Sequence, residues 1–377
     1  MKYTELVRPE ILKQPVYEPG KPIEYVAREY GLDPDNILKL ASNENPLGAS
    51  PLGIEAAHSA LAQSHLYPDG GCYALRHKLA ERFSLQPEQF VIGNGSNEIM
   101  VLLCHALLRP GDEAVMGAQS FIAFKLSVLL AGATPVEVPM PDMRHDLEAM
   151  ADAVTEKTRM VYLPSPNNPT GDTHSQEAIE CLIERLPDNV VFLFDEAYAE
   201  YLEVAPDLRP LIEKGHKVVC CRTFSKIYGL AAFRLGYAYG SAELMGLLNR
   251  IRQPFNVNAI GQAAALAALD DKDHVARSRK VNQQGQAQLT ELFKRLGLDF
   301  VPSEANFLLL RVRNGKDAFE VLQKHGIIVR PLGGYGLSDW VRVTVGTELE
   351  NARLGQCLEQ IAQGPEAPVF FHQTTAQ

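Results

Sequence analysis

Between about residues 90 and 265 the chain alternates two patterns. Short, nearly unbroken apolar runs give way to stretches in which apolar positions recur every three or four residues. The apolar runs predict strands at Phe90–Gly93, Glu113–Met116, Pro135–Val138, Met160–Leu163, Val190–Phe194, Val218–Arg222 and Leu235–Tyr239. Met100–Leu108, Ile122–Leu130 and Ala178–Leu186 carry the helical spacing between several of them. Strands alternating with helices predict an α/β fold with a mostly parallel sheet between helices. Runs such as VVFLF suit strands buried on both faces. After residue 255 the pattern changes. Long helices are expected at Ile260–Leu269 and Val275–Leu296, then a strand at Phe307–Val312 and a helix near Ala318–Lys324. Strands at Ile327–Arg330 and Trp340–Val345 and a last helix to about Ala362 complete a smaller α+β domain. Residues 364–377 mix Pro, Gln and Thr and are expected to fray.

Composition narrows the class without naming a chemistry. The chain has 377 residues and is 46% hydrophobic, enough for one large and one smaller domain. Its net charge is -10 with the two signs interspersed, so no nucleic-acid footprint is expected. No apolar stretch has the length of a bilayer span, and the first residues lack a secretory h-region. The six cysteines form no CxxC pair and read as buried, reduced thiols of a cytoplasmic protein. The ten histidines show no metal-binding spacing, so no metal is expected.

Chemistry gathers at strand ends. Gly93–Glu98 (GNGSNE) follows one strand and opens a helix, where exposed N–H groups and the helix dipole suit a phosphate. It lacks the third glycine of a dinucleotide fingerprint and by itself fits an ordinary helix cap. The segment 222–234 sets Lys226 beside the hydroxyls of Thr223 and Ser225 and the guanidinium of Arg234. An amine among cations in a partly desolvated place becomes a nucleophile, although most lysines are surface residues. Asp195 ends the VVFLF strand, where open α/β sheets bind ligands, or else caps a helix. A stiff polar corner, Pro164–Gly171 (PSPNNPTG), ends another strand.

The set N-N-P-T-G, then D-x-x-Y, then S-K with an arginine eight residues on, resembles the fold type I pyridoxal-phosphate enzymes of the aspartate aminotransferase superfamily. The resemblance implies a large domain with a mostly parallel seven-stranded sheet. It also implies pyridoxal 5'-phosphate joined to Lys226 as a Schiff base, with Lys226 moving protons during the reaction. Asp195 would pair with the pyridine nitrogen. Tyr198 and Asn168 would bond the ring's phenolic oxygen, and Phe121 would stack on the ring. Ser96, Asn97, Thr223, Ser225 and Arg234 would hold the cofactor phosphate.

A finer resemblance, to the histidinol-phosphate aminotransferase family, runs through VYEPGKP, LKLASNENPLGASP, LYPDG, GNGSNE, RTFSKIYGLAAFRLGY, RQPFNVN and VRVTVGT. It implies transfer of an amino group between L-histidinol phosphate and 2-oxoglutarate, yielding imidazole-acetol phosphate and L-glutamate. It also implies a homodimer in which Tyr67 reaches the neighbouring subunit's cofactor phosphate. Arg342 would bind the substrate's anionic end, helped by Arg330, Tyr17 and Asn43. The alternation of Val341, Arg342 and Val343 fits a solvent-facing strand residue equally well. Ala232–Phe233 departs from the Gly-Leu of relatives. The implied division is an N-terminal segment 1–50, a large cofactor domain 51–270, a small domain 271–363 and a flexible tail 364–377. The nearest alternative is an aromatic amino acid aminotransferase of the same family, with a threonine-phosphate decarboxylase more distant. A cofactor-sensing transcription regulator lacks its DNA-binding module here, and a nicotinamide oxidoreductase lacks its glycine fingerprint.

Overall fold

The computed structural model describes residues 2–14, 16 and 20–371. Its strands are β1 (Leu38–Lys39), β2 (Phe90–Gly93), β3 (Glu113–Gly117), β4 (Thr134–Val138), β5 (Thr158–Pro164), β6 (Val191–Asp195), β7 (Val218–Thr223) and β8 (Gly236–Tyr239), followed by β9 (Phe300–Val301), β10 (Phe307–Arg311), β11 (Ile327–Ile328), β12 (Arg330–Leu332) and β13 (Leu337–Thr344). The large sheet has seven strands in the order β2-β8-β7-β6-β5-β3-β4. Its neighbours are parallel except around β8, which runs antiparallel to both β2 and β7.

The alternation of side chains along a strand explains why the inner runs are nearly all apolar, whereas the edge strand β4 exposes Thr134 and Glu137. Val161, Leu163, Phe192, Phe194, Val218 and Cys220 point to one side of the sheet. Met160, Tyr162, Val191, Leu193, Val219 and Cys221 point to the other. Helices cover both sides, so neither set meets water. Several helices begin on side-chain caps: Ser175 accepts from Ala178 N–H, Asn258 from Gly261 N–H and Asp271 from His274 N–H.

The last of these is the 24-residue helix Lys272–Arg295, which leads from the large domain into the small one. There a four-stranded antiparallel sheet, β12-β13-β10-β9, packs under the helices Gly315–Lys324 and Glu348–Ala362. The N-terminal segment joins the small domain through β1, which pairs in parallel with β11. The single strand expected at Ile327–Arg330 is therefore two, because Ile327–Ile328 serves one sheet and Arg330–Leu332 the other. In the stretch expected to fray, Ala367–Phe370 instead form a helical turn, and Phe370 is buried at 1% exposure in the small-domain core. Burying that ring is worth about 2 kcal/mol. Five of the cysteines are buried as expected, whereas Cys181 lies exposed on its helix.

Candidate active site

The carboxyl ends of β5, β6 and β7 and the turn after β2 open into one cleft closed by the N-terminal segment and the small domain. The first wall is the start of the helix Ser96–Leu107, whose leading N–H groups have no partner within the helix. Opposite it, β7 ends at Thr223, whose Oγ1 accepts from Ser225 N–H at 3.1 Å. Arg234 takes a left-handed backbone conformation, and its Nη1 donates to Ser225 Oγ at 3.4 Å and to the Ala231 carbonyl at 3.0 Å. Two glycines make this close approach feasible. A Cβ on Gly95 would lie 2.7 Å from Arg234 Nη2, and one on Gly236 would lie 2.3 Å from Ser96 N. The product is a concave set of hydroxyls, a guanidinium and a helix N-terminus, the donor chemistry of a phosphate site.

Lys226 and Asp195 stand deeper. Lys226 Nζ donates to the Ser42 carbonyl at 3.1 Å and lies 5.8 Å from the centre of the Tyr198 ring. Desolvation by the surrounding protein, and then the nearby charges of Arg342 and Arg234, push its amine down to about 7, against the opposing pull of Glu44 and Asp195. Asp195 ends β6 and is buried. Its Oδ2 accepts from the Tyr162 hydroxyl at 2.9 Å and its Oδ1 from Ala197 N–H at 3.1 Å. Burial nevertheless raises this carboxyl to about 6. Asn43 Nδ2 donates to Tyr198 Oη at 2.8 Å, and burial raises the Tyr198 phenol to about 12.

The third wall is the polar corner after β5. Asn168 Oδ1 accepts from Arg342 Nη1, and Arg342 Nη2 donates to the Ala41 carbonyl at 2.7 Å. Arg342 is only 7% exposed, with its guanidinium 5.4 Å from the Phe307 ring centre, so it faces the cleft and not bulk solvent. Arg330 sits opposite it in the β12–β13 register and also lines the cleft, as does Phe121, the residue before the helix Ile122–Leu130.

The cleft thus brings together Asn43, Ser96, Asn97, Phe121, Asn168, Asp195, Tyr198, Thr223, Ser225, Lys226, Arg234, Arg330 and Arg342. Tyr67 is elsewhere, 84% exposed and stacked on Phe255 at 4.8 Å. Tyr17 lies outside the described residues.

Sequence reasoning missed Tyr335 and Glu44, which line the cleft, and Tyr162, which bonds Asp195 from behind. The lone phenol inside the apolar run of β5 was the available signal for Tyr162. It also missed a buried cluster assembled from distant positions. His145 Nδ1 and His174 Nε2 lie 2.9 and 3.2 Å from Asp172 Oδ2, and Thr170 Oγ1 bonds Asp172 Oδ1. Burial alone would raise the Asp172 carboxyl, but the bonds from His145 and His174 hold it far below the usual carboxylate range. His145 Nε2 meets Ser120 Oγ at 2.7 Å, and Asn167 Nδ2 donates to the Gln119 carbonyl at 3.0 Å. The cluster therefore ties the loop carrying Phe121 to the corner carrying Asn168.

Known proteins bear on this geometry. A family model described as aminotransferase class I and II matches residues 35–361. A relative from Akkermansia muciniphila named histidinol-phosphate aminotransferase is 42% identical over 362 residues, covering 96% of this chain and 100% of its own. Another of that name from Methylobacillus flagellatus is 46% identical over 347 residues, covering 92% and 94%. Among solved structures, histidinol-phosphate aminotransferase from Sinorhizobium meliloti in complex with pyridoxal-5'-phosphate superposes with a TM-score of 0.84. It is 27% identical and covers 95% of this chain and 97% of that one. The cleft and these similarities lead to one conclusion: the chain belongs to the class I and II aminotransferase family, among relatives named histidinol-phosphate aminotransferase.

Proposed function

We propose that the protein is a pyridoxal-phosphate-dependent aminotransferase that moves the amino group of L-histidinol phosphate to 2-oxoglutarate, giving imidazole-acetol phosphate and L-glutamate, in L-histidine biosynthesis. The observation that carries this reading is the meeting, in one cleft, of an amine held near pH 7, a buried carboxylate and a phosphate-type cradle. The donor set fits the cofactor along its length. The cradle of Ser96, Asn97, Thr223, Ser225 and Arg234 suits its phosphate, Lys226 its aldehyde and Asp195 its ring nitrogen. Bound there, the cofactor supplies an electron sink for the bonds to the substrate's amine-bearing carbon.

The residues do the rest. Burial and the neighbouring guanidinium groups hold the Lys226 amine well below an ordinary lysine, so it would take a proton from the substrate carbon and return one without a large energetic mismatch. With the cofactor bound, Asp195 would hold a proton on its ring nitrogen, Tyr198 and Asn168 would donate to its ring oxygen, and Phe121 would cover its ring. Arg342 offers a planar fork to the substrate's anionic end, with Arg330, Asn43 and Tyr17 around it. We assign the working unit as a homodimer, with Tyr67 reaching the neighbouring subunit's cofactor phosphate. Its exposure outside this chain's own cleft supports that assignment. Six unpaired cysteines, most of them buried, suit a reducing cytoplasm.

The test follows the visible band of the cofactor-loaded protein. L-Histidinol phosphate at low concentration should bleach it and 2-oxoglutarate should restore it. Bleaching by L-phenylalanine alone would move the substrate to the aromatic amino acids, and no response to either would overturn the proposed reaction. In sedimentation, a stable, fully active monomer would refute the shared-site dimer.

A further inference from the structure

Tyr162 is buried in the middle of β5, its ring stacked on Phe124 at 4.2 Å. A phenol in such a place needs a partner for its hydroxyl. The parallel register of β5 and β6 sets Pro164 opposite Asp195, so Tyr162 lies one pleat behind the carboxylate, on the side away from the cleft opening. Its hydroxyl donates to Asp195 Oδ2 at 2.9 Å while Ala197 N–H fills one position on Oδ1. Each carboxylate oxygen thereby has one fixed oxygen or nitrogen donor, and the Cys221 thiol of β7 adds a further interaction with the same carboxylate.

We infer that Tyr162 is a positioning residue for Asp195, fixing the plane of its carboxylate and stabilising the anion that pairs with the cofactor's ring nitrogen. The inference rests on the cofactor reading above. Burial keeps the Tyr162 phenol protonated far above neutral pH, so it remains a donor throughout the working range. The other groups facing Asp195 are Cys221 from β7, Lys226 beyond the end of that strand, and Glu196 and Tyr198 from its own segment. Tyr335 faces Tyr162 and Tyr198 from the small domain, and the helix Ile122–Leu130 brings only the apolar ring of Phe124. Tyr162 and Ala197 are thus the neutral groups that donate hydrogen bonds to Asp195 from oxygen and nitrogen.

The test is Tyr162→Phe, which deletes the hydroxyl and keeps the stacked ring. The probe is pyridoxamine 5'-phosphate, which cannot link to Lys226, titrated into cofactor-free protein from pH 5.5 to 8.5. At the alkaline end the hydroxyl stabilises the Asp195 anion equally with and without ligand, so the two proteins should bind nearly alike. Below pH 6 the variant should bind about tenfold more weakly, its loss of affinity setting in about one pH unit higher. Phe124→Leu, which disturbs the packing and leaves the hydroxyl, should lower stability without moving that midpoint. Superimposable curves, or an offset independent of pH, would overturn the inference alone. Wild-type protein that does not bind the probe would overturn the cofactor reading with it.

Discussion

Replacing Lys226 by Met should make the cofactor-free protein more stable at neutral pH, although it removes the reactive amine. An ordinary lysine titrates at 10.5, and this one is pushed down to about 7. At about 1.4 kcal/mol per pH unit, holding it charged in the fold costs about 5 kcal/mol as an upper bound. The amine lines the cleft, where screening is stronger than in a closed core, so the cost is discounted to roughly 2–3 kcal/mol. Met loses the hydrogen bond to the Ser42 carbonyl, about 1 kcal/mol, so a net gain of about 1–2 kcal/mol remains. The sign of the pH dependence follows from linkage. Below pH 7 both folded and unfolded chains carry the proton, and the folded state bears the whole cost. Between 7 and 10.5 the unfolded chain holds more protons, so wild-type stability rises with pH through this window. Urea titrations of both proteins, free of cofactor, at intervals from pH 6.5 to 9.5 should show the advantage of Lys226→Met shrinking steadily. A gap that stays constant would refute the argument, because lost contacts alone carry no such slope.

Other perturbations separate the scaffold from the chemistry. Gly229→Ala forces a residue at a φ of +67° to place its Cβ 2.1 Å from the Gly48 carbonyl oxygen. It should cost about 3 kcal/mol or more and lower the thermal midpoint together with cofactor retention. Phe370→Ala should cost about 3 kcal/mol in urea unfolding while leaving turnover per folded molecule unchanged, since that ring packs in the small-domain core. Arg342→Lys replaces a fork that spans Asn168 Oδ1 and the Ala41 carbonyl. It should lower kcat/KM for histidinol phosphate about 10- to 100-fold in steady-state assays, without loss of bound cofactor.

The legible parts of this molecule are those where one local rule decides. Strands β2 to β8 follow nearly unbroken apolar runs, and the expected bounds miss the observed ones by only a residue or two, because turn-forming residues close most of the runs. The helix expected from Met100 starts at Ser96, since its first turn is polar and carries no apolar period. The helix Pro51–Leu61 went unread although Ser50 and Pro51 mark its cap, because the Pro- and Asn-rich stretch before it reads as a loop. Strand β1 is two residues long and exists only through its pairing with β11. Arg342 alternates with valines as a solvent-facing residue would, and it is buried by groups distant in sequence, the N-terminal segment at Ala41, the corner at Asn168 and the ring of Phe307. The cluster of His145, Asp172 and His174 depends on a meeting of two loops that no spacing along the chain announces.

The two central groups of the cleft share one feature that binds these observations together. Burial drives the Lys226 amine down and the Asp195 carboxyl up, so each is pressed toward its neutral form near the working pH. For a structural pair this would be a defect, since the folded chain bears the desolvation of both. Arg342 and Arg234 worsen the position of Lys226, while Tyr162 and Ala197 relieve that of Asp195. The asymmetry is what the proposed chemistry requires. A proton carrier must be free to lose its proton, whereas the group opposite the ring nitrogen must remain an anion. The stability lost at this site is offset by the apolar layers on both faces of the large sheet, in which the strands ending in the cleft are buried along almost their whole length.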